Sequence, residues 1–343
     1  EGAAYEDGKG LNIWDIFCKD GGHIYENQTG DAACDQYHRY KEDVQIMKEM
    51  GMKAYRFSLS WARIMPEGTG TVNEKGLKYY DNLINELLDN GIEPFVTLYH
   101  WDLPYALHLQ GGWMNPNSPS WFYEYAKVVA EHFSDRVKNF FTINEPQCIV
   151  GLGYQTGEHA PGLKVGPSDY FRIWHNVLKA HGRAVEALRE FSKQPVKISM
   201  APCGALYVPE TNKPEDIEAA RKANFSLPEN SIGACSWDVA LCCDPVYLGQ
   251  YPEDILKEFG QFFPKVTDAD MKLISQPLDF LGQNIYNAVT VRAGEDGKAV
   301  RAARYDGFPQ TAIGWPVTPE VLYWAPKFMQ ERYKKPFMIT ENG

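Results

Sequence analysis

Short apolar runs alternate with longer stretches of helical period along this sequence. The clearest unit opens with Ala54-Tyr55-Arg56-Phe57-Ser58-Leu59-Ser60-Trp61, a run rich in strand-forming residues. After a turn, Asn73 is placed to cap a helix whose apolar face is Leu77, Tyr80, Ile84, Leu87 and Leu88, and Gly91 stops it. The next apolar run is Pro94-Phe95-Val96-Thr97-Leu98-Tyr99. The same alternation predicts further strands near 139–144, 196–201, 280–286 and 337–340, with helices near 36–50, 119–134, 169–191 and 319–333. Strands spaced by helices of that length predict a parallel sheet covered by helices.

Six strands are visible, and no composition shift, flexible linker, charge block or internal repeat divides them. At 343 residues the chain could hold two average domains, yet barrels of alternating strands and helices often run longer as one. The expectation is one barrel domain over 1–343. The stretch from about 203 to 275 carries Pro209, Pro214, Pro228, Pro245, Pro252 and Pro264 and is expected to be an elaborated loop.

Composition narrows the chemistry. The 9 Trp, 20 Tyr and 17 Phe exceed what a core needs, and surplus aromatics often line sugar or ring-binding clefts. A net charge of −11 argues against nucleic acid or an anionic membrane as partner, because both need a basic face. A neutral or small ligand is expected. No apolar stretch approaches the roughly 20 residues of a membrane helix, and no leader is visible. The seven cysteines are scattered without a Cys-x-x-Cys pair, which reads as reduced thiols and a cytoplasmic protein. Ligand spacing supports no metal, and no cofactor is expected.

Two glutamates stand out against this background: Glu145 in Thr142-Ile143-Asn144-Glu145-Pro146 and Glu341 in Ile339-Thr340-Glu341-Asn342-Gly343. A carboxylate at the end of an apolar run loses water on folding, which costs several kcal/mol unless it is paired or hydrogen-bonded. In an eight-stranded barrel the chemistry lies at the C-terminal strand ends. Arg56, His100, Trp101, Asn144, Glu145, Asn284, Tyr286 and Glu341 all fall in or at the ends of expected strands. A dinucleotide-binding turn is set aside, since Gly151-Leu152-Gly153-Tyr154-Gln155-Thr156-Gly157 has the wrong spacing.

Two carboxyl groups about 5 Å apart, as in retaining glycosidases, repel by roughly 3 kcal/mol at an effective dielectric near 20, so one proton is held near neutrality. The group beside positive or donor groups stays ionised. Arg56 and the Tyr286 hydroxyl are the candidates to surround Glu341, which makes Glu341 the nucleophile and Glu145 the general acid. Blander readings exist for single residues. Glu145 alone could cap a strand end, and His100 alone could be a hydrogen-bonded structural histidine. His38, His175 and His181 sit on helical patterns, while Trp61, Trp113 and Trp121 read as packing. Arg56 in an apolar strand has no such reading, because a buried guanidinium needs a partner.

The sequence resembles glycoside hydrolase family one, the β-glucosidase-like enzymes, nearly from Glu1 to Gly343. The resemblance rests on Asp35-Gln36-Tyr37-His38-Arg39-Tyr40-Lys41-Glu42-Asp43, Tyr55 to Trp61, Tyr99-His100-Trp101-Asp102-Leu103-Pro104, Gly111-Gly112-Trp113, Thr142 to Pro146, His159-Ala160-Pro161-Gly162 and Ile339 to Gly343. It implies a (β/α)8 TIM barrel and a retaining double displacement on terminal β-D-glucosides or β-linked oligosaccharides. Glu145 would be the acid/base and Glu341 the nucleophile. Asn144 would bond the sugar 2-hydroxyl, with His100 and Trp101 at neighbouring hydroxyls. Asn284 and Tyr286 would flank the nucleophile, Arg56 would hold its charge, and Trp315 would stack on the leaving group.

The resemblance also implies departures. The family's first strand, with a sugar-binding glutamine, and its last strand are expected to lie outside this sequence. That leaves an incomplete barrel of about six of eight strands, truncated at both ends, with sheet edges facing water. Asn12 stands where serine is usual, Ser134 where glycine often precedes Asp135-Arg136-Val137, and Leu227 to Cys243 resembles an insertion. Two other readings remain open: a 6-phospho-β-glycosidase, against which Trp101 argues mildly, and a non-catalytic sugar-binding or unstable fragment.

Overall fold

In the computed structural model, which describes residues 1–227 and 231–342, all six expected strands form. Pro228 and Gly343, both used in the sequence reading, lie outside the described residues. In chain order the strands are β1 (Ala54–Ser58), β2 (Glu93–Tyr99), β3 (Asn139–Asn144), β4 (Lys197–Ala201), β5 (Tyr207–Pro209), β6 (Leu281–Asn284), β7 (Val289–Ala293), β8 (Ala299–Arg301) and β9 (Phe337–Glu341). The chain divides into two compact units, residues 1–144 with 148–200 and residues 145–147 with 201–343.

In the first unit the sheet order is β1-β2-β3-β4, and the β1–β2 and β2–β3 pairs are parallel. Every residue of β3 is buried, whereas Ala54 and Ser58 at the two ends of edge strand β1 are exposed. Helices Gln36–Glu49, Glu74–Asp89, Ser118–Phe133 and Pro167–Phe191 follow the predicted pattern. The core is aromatic: Trp61 stacks on Tyr125 with centroids 5.0 Å apart, and Trp113 lies edge-on to Tyr99 at 5.3 Å. Each fully buried side chain of this size contributes about 1.5–3 kcal/mol relative to exposure. Both indoles are satisfied, Trp61 Nε1 donating to the Gly68 carbonyl at 2.9 Å and Trp113 Nε1 to the Tyr99 hydroxyl at 3.2 Å. Gly68 must be glycine, with φ at +81° and a Cβ there meeting Leu107 at 2.4 Å.

Several details differ from the sequence reading. Trp61 opens a short helix, Trp61–Ile64, rather than closing β1. Asn73 occupies the N-cap position of Glu74–Asp89, but its side chain makes no capping bond. Its Nδ2 donates instead to the carbonyls of Asp7 and Arg63, both at 2.9 Å, so a tertiary demand outcompetes the local one. Leu88 is exposed; the buried face includes Tyr79 and Leu83, one turn round from the expected edge of the stripe. The glycine-rich run is part of a π-helical stretch, Cys148–Thr156, not a phosphate-binding turn.

In the second unit β6 and β9 pair in parallel, and β5, β7 and β8 form a separate sheet in which β5–β7 is parallel and β7–β8 antiparallel. Helix Val321–Tyr333 buries Val321, Ala325, Phe328, Met329 and Tyr333. The spacing is that of one helical face, in the helix expected near 319–333, and part of that face packs on Leu281 and Ile285. The expectation of a loop over 203–275 is corrected: the described part holds helices Pro214–Ala223, Ile232–Ser236, Val239–Tyr247, Glu253–Phe259 and Asp268–Ile274. Prolines start helices as well as break them. Pro214 is the first residue of its helix and Pro252 sits at the N-cap of Glu253–Phe259, where the missing N–H costs nothing. The β5-β7-β8 sheet was absent from the sequence reading; β5 and β8 have three residues each, too few to show a period.

Candidate active site

In the first unit, three of the predicted residues, Arg56, His100 and Trp101, gather around a fourth, Asn144, the last residue of β3. Arg56, in the middle of β1, donates from Nε to Thr97 Oγ1 at 3.1 Å and from Nη2 to Asn144 Oδ1 at 2.6 Å. Because a guanidinium only donates, the oxygen of the Asn144 amide must face it, and Nδ2 must face the other way. That nitrogen lies 3.1 Å from His100 Nε2, so the imidazole nitrogen accepts and its proton sits on Nδ1. Trp101 Nε1 donates to the Asn144 carbonyl at 3.1 Å.

His100 and Trp101 follow directly after β2, and Trp101 has φ at +77°, a backbone conformation that bulky residues rarely adopt. The indole packs against His159 with centroids 5.1 Å apart. The strand ends β1, β2 and β3 thus hold one connected polar array.

In the second unit, Glu145 follows Asn144 directly in the chain and also has positive φ, +43°. Its N–H donates to the Ala201 carbonyl at 2.8 Å, and the side chain is buried, with 6% of the residue's surface exposed. Its Oε1 accepts from Asn284 Nδ2 at 2.7 Å. The Asn284 oxygen accepts from Thr340 Oγ1 at 2.6 Å, which leaves its N–H groups turned toward the Glu145 carboxyl. The β6–β9 register places Asn284 opposite Glu341, across an irregularity between Gln283 and Asn284.

The Tyr286 hydroxyl donates to Glu341 Oε2. Burial pushes the Tyr286 phenol well above its ordinary value, and the hydrogen bond and charge of Glu341 and then the charge of Glu145 push it further. Both carboxyl groups therefore act on one hydroxyl. Trp315 is partly exposed on a hairpin closed by Thr311 N–H to Trp315 carbonyl at 2.8 Å, and its ring lies 5.3 Å from that of Tyr286.

The structure thus brings Glu145, Asn284, Tyr286, Glu341 and Trp315 together in one unit, and Arg56, His100, Trp101 and Asn144 together in the other. Sequence reading missed the two threonines. Thr97 and Thr340 look like ordinary strand residues, and only their position beside an arginine or an asparagine on a neighbouring strand gives each a task. It also left His159 without a role, although its motif was noticed. Among the described residues no helix is long and apolar enough to cross a membrane.

Comparison with known proteins shows what the chain as a whole is similar to. The family model described as Glycosyl hydrolase family 1 matches residues 1–343. β-Glucosidase A of Thermotoga maritima is 43% identical over all of this chain, which spans 74% of that protein, and β-glucosidase A of Acetivibrio thermocellus is 44% identical with 75% spanned. Among solved structures, the Thermotoga maritima β-glucosidase in complex with glucoimidazole aligns with a TM-score of 0.87 at 43% identity, covering 100% of this chain and 75% of that one.

Proposed function

The chain belongs to glycosyl hydrolase family 1, and from that premise we propose which residues carry the reaction. Its fold class is α/β, a (β/α)8 TIM barrel that is partial relative to its homologues, and its activity is that of a retaining β-glucosidase. The observation that carries the assignment of roles is the linkage of Glu145 and Glu341 through Asn284 and Tyr286.

Glu341, held by the Tyr286 hydroxyl, attacks the anomeric carbon of a bound β-glucoside. As that bond forms, the bond from the anomeric carbon to the leaving oxygen breaks, and Glu145 gives that oxygen its proton. The products of this half are the free aglycone alcohol and a glucosyl ester on Glu341. With the negative charge on Glu341 gone, Glu145 takes a proton from water, the hydroxide equivalent attacks the anomeric carbon from the side the aglycone left, and Glu341 departs as carboxylate. Two inversions retain the β configuration.

The remaining roles follow from hydrogen-bonding capacity. Asn144 is pre-set by Arg56 and His100, so its amide keeps one orientation toward a sugar hydroxyl. Arg56 holds the Asn144 oxygen with its positive charge, His100 and Trp101 meet neighbouring hydroxyls, and Trp315 offers a flat apolar face to the leaving group. The substrate is a small-molecule β-glycoside. Among the described residues the seven cysteines form no disulfide, which supports a cytoplasmic location.

Glu341→Gln tests the assignment. Turnover of 4-nitrophenyl β-glucoside should vanish, and a 2-fluoro-glucoside inactivator should label the unsubstituted chain at Glu341 by peptide mass. Hydrolysis at the original rate, or a label elsewhere, overturns the assignment. Comparing the plain glucoside with its 6-phosphate separates the β-glucosidase from a 6-phospho-β-glycosidase.

A further inference from the structure

A second concavity, with a volume near 1200 Å3, lies wholly within the unit of residues 145–147 and 201–343. None of the candidate catalytic or sugar-binding residues lines it. Helix Pro214–Ala223, strands β7 and β8 and helix Val321–Tyr333 frame it. Its floor is apolar, made by Val289 and Val291 of β7, Ala299 of β8 and the buried ring of Phe328, which continue into one packed cluster.

The rim has the opposite character from the rest of the molecule. Among the described residues, Arg221, Lys222, Lys298, Arg301 and Arg332 line it against Asp296 and Glu331, in a chain of net charge −11. Two of these cations are committed elsewhere. Arg332 binds Asp244 through Nε at 2.9 Å and Nη2 at 2.5 Å, and Arg221 pairs with Glu331 and with Glu218.

Lys222 and Lys298 have only exposed partners, Glu218 at 3.8 Å and Asp296 at 3.3 Å. Exposed pairs of that kind are worth about 0.2–1 kcal/mol, so a ligand anion can displace them. Arg301, exposed in β8, has no carboxylate partner among the described residues. A guanidinium is suited to holding a carboxylate through two parallel N–H bonds. Drug-sized ligands occupy about 300–1000 Å3, so the larger volume here suits an elongated molecule.

We propose that this concavity binds an elongated amphipathic carboxylate, its head held by Arg301 and Lys298 and its hydrocarbon body laid along Val289, Val291 and Phe328. Neither feature alone selects such a molecule. The apolar floor would accept any hydrocarbon, and the cations would accept any anion. The combination rejects a cationic amphiphile and a bare anion alike.

Calorimetric titration of the 343-residue chain with decanoate, kept below its micellar concentration, tests this. Decanoate should bind at one site, while acetate and decyltrimethylammonium at the same concentrations should not. Arg301→Glu should weaken decanoate at least tenfold, corresponding to about 1.4 kcal/mol, and Arg301→Lys should stay within threefold of the original. Circular dichroism on each variant establishes that it is folded, and both changes lie on an exposed side chain. Decanoate should bind equally well when glucoimidazole is present. Equal binding of decanoate and decyltrimethylammonium, unchanged affinity in Arg301→Glu, or displacement of decanoate by glucoimidazole each overturns the proposal.

Discussion

Tyr286→Phe isolates the hydroxyl that holds the nucleophile while leaving the ring beside Trp315 in place. A hydrogen bond to a charged group contributes about 1.5–3 kcal/mol. Tyr286 and Glu341 are both half-buried, so water replaces part of the lost bond and the lower end applies. About 1.5 kcal/mol corresponds to roughly a tenfold fall in kcat/KM for 4-nitrophenyl β-glucoside. The pH profile gives a second reading. The hydroxyl stabilises ionised Glu341, so its loss should move the acid limb of kcat/KM to higher pH by about one unit. Because burial and Glu341 hold the phenol above its ordinary value, Tyr286 stays protonated through neutral pH, and the alkaline limb should not move. Inactivation by a 2-fluoro-glucoside, which depends on the first displacement alone, should slow by the same factor as kcat/KM. An unchanged acid limb together with unchanged inactivation would show that the hydroxyl does not position Glu341.

Other expectations concern different parts of the molecule. Glu145→Gln should lower kcat/KM far more for an alkyl β-glucoside than for 2,4-dinitrophenyl β-glucoside, because only the poor leaving group needs the proton; equal losses would rule out an acid at this position. Arg63 is fully buried, donating to Glu1 at 2.6 Å and to the carbonyls of Gly2 and Ala3 at 3.2 and 3.0 Å. Arg63→Met should therefore cost about 3–5 kcal/mol in urea unfolding, the penalty for breaking one side of a buried pair. His181 is buried, with Nδ1 2.6 Å from Thr142 Oγ1 and no partner at Nε2, and burial lowers its pKa to about 3. The unfolded chain takes up that proton below its ordinary value of 6.5 and the folded chain does not, so stability falls as pH drops from 6.5 toward 3. At pH 5 the loss is about 2 kcal/mol, and His181→Gln should flatten the dependence measured between pH 7 and 5.

What the sequence made legible divides along physical lines. Helix Val321–Tyr333 and strands β2 and β3 were readable because long periods and full burial leave a mark on many consecutive positions. The β5-β7-β8 sheet left no such mark. Its strands are three to five residues long, and β7 and β8 alternate too weakly to separate from loop. Among the helices between 214 and 274, Pro214 and Pro252 sit where a helix start tolerates them, while Pro245 lies inside Val239–Tyr247, so the prolines were poor guides to loop.

At the site the limit was orientation rather than identity. Asn284 was recognisable as a residue at a strand end, but nothing in its own segment says which end of its amide meets Glu145. That is decided by the Glu145 carboxyl, 139 positions away, which takes the N–H, while the hydroxyl of Thr340, 56 positions away, adapts to the oxygen. Asn144 repeats the pattern, with Arg56 taking the oxygen from 88 positions away. In each case an amide can turn over at almost no steric cost, and charged partners remove that freedom: the donor-only guanidinium of Arg56 at the Asn144 oxygen, and the carboxyl of Glu145 at the Asn284 nitrogen. The two carboxamides are therefore oriented before any sugar arrives, and the cost of ordering them falls on folding rather than on binding. The positive φ of Glu145 and Trp101 fits the same logic, since backbone held in a sparsely populated region persists only where surrounding hydrogen bonds over-determine it. The bonds from Glu145 N–H to Ala201 and from Trp101 Nε1 to Asn144 are placed to do so.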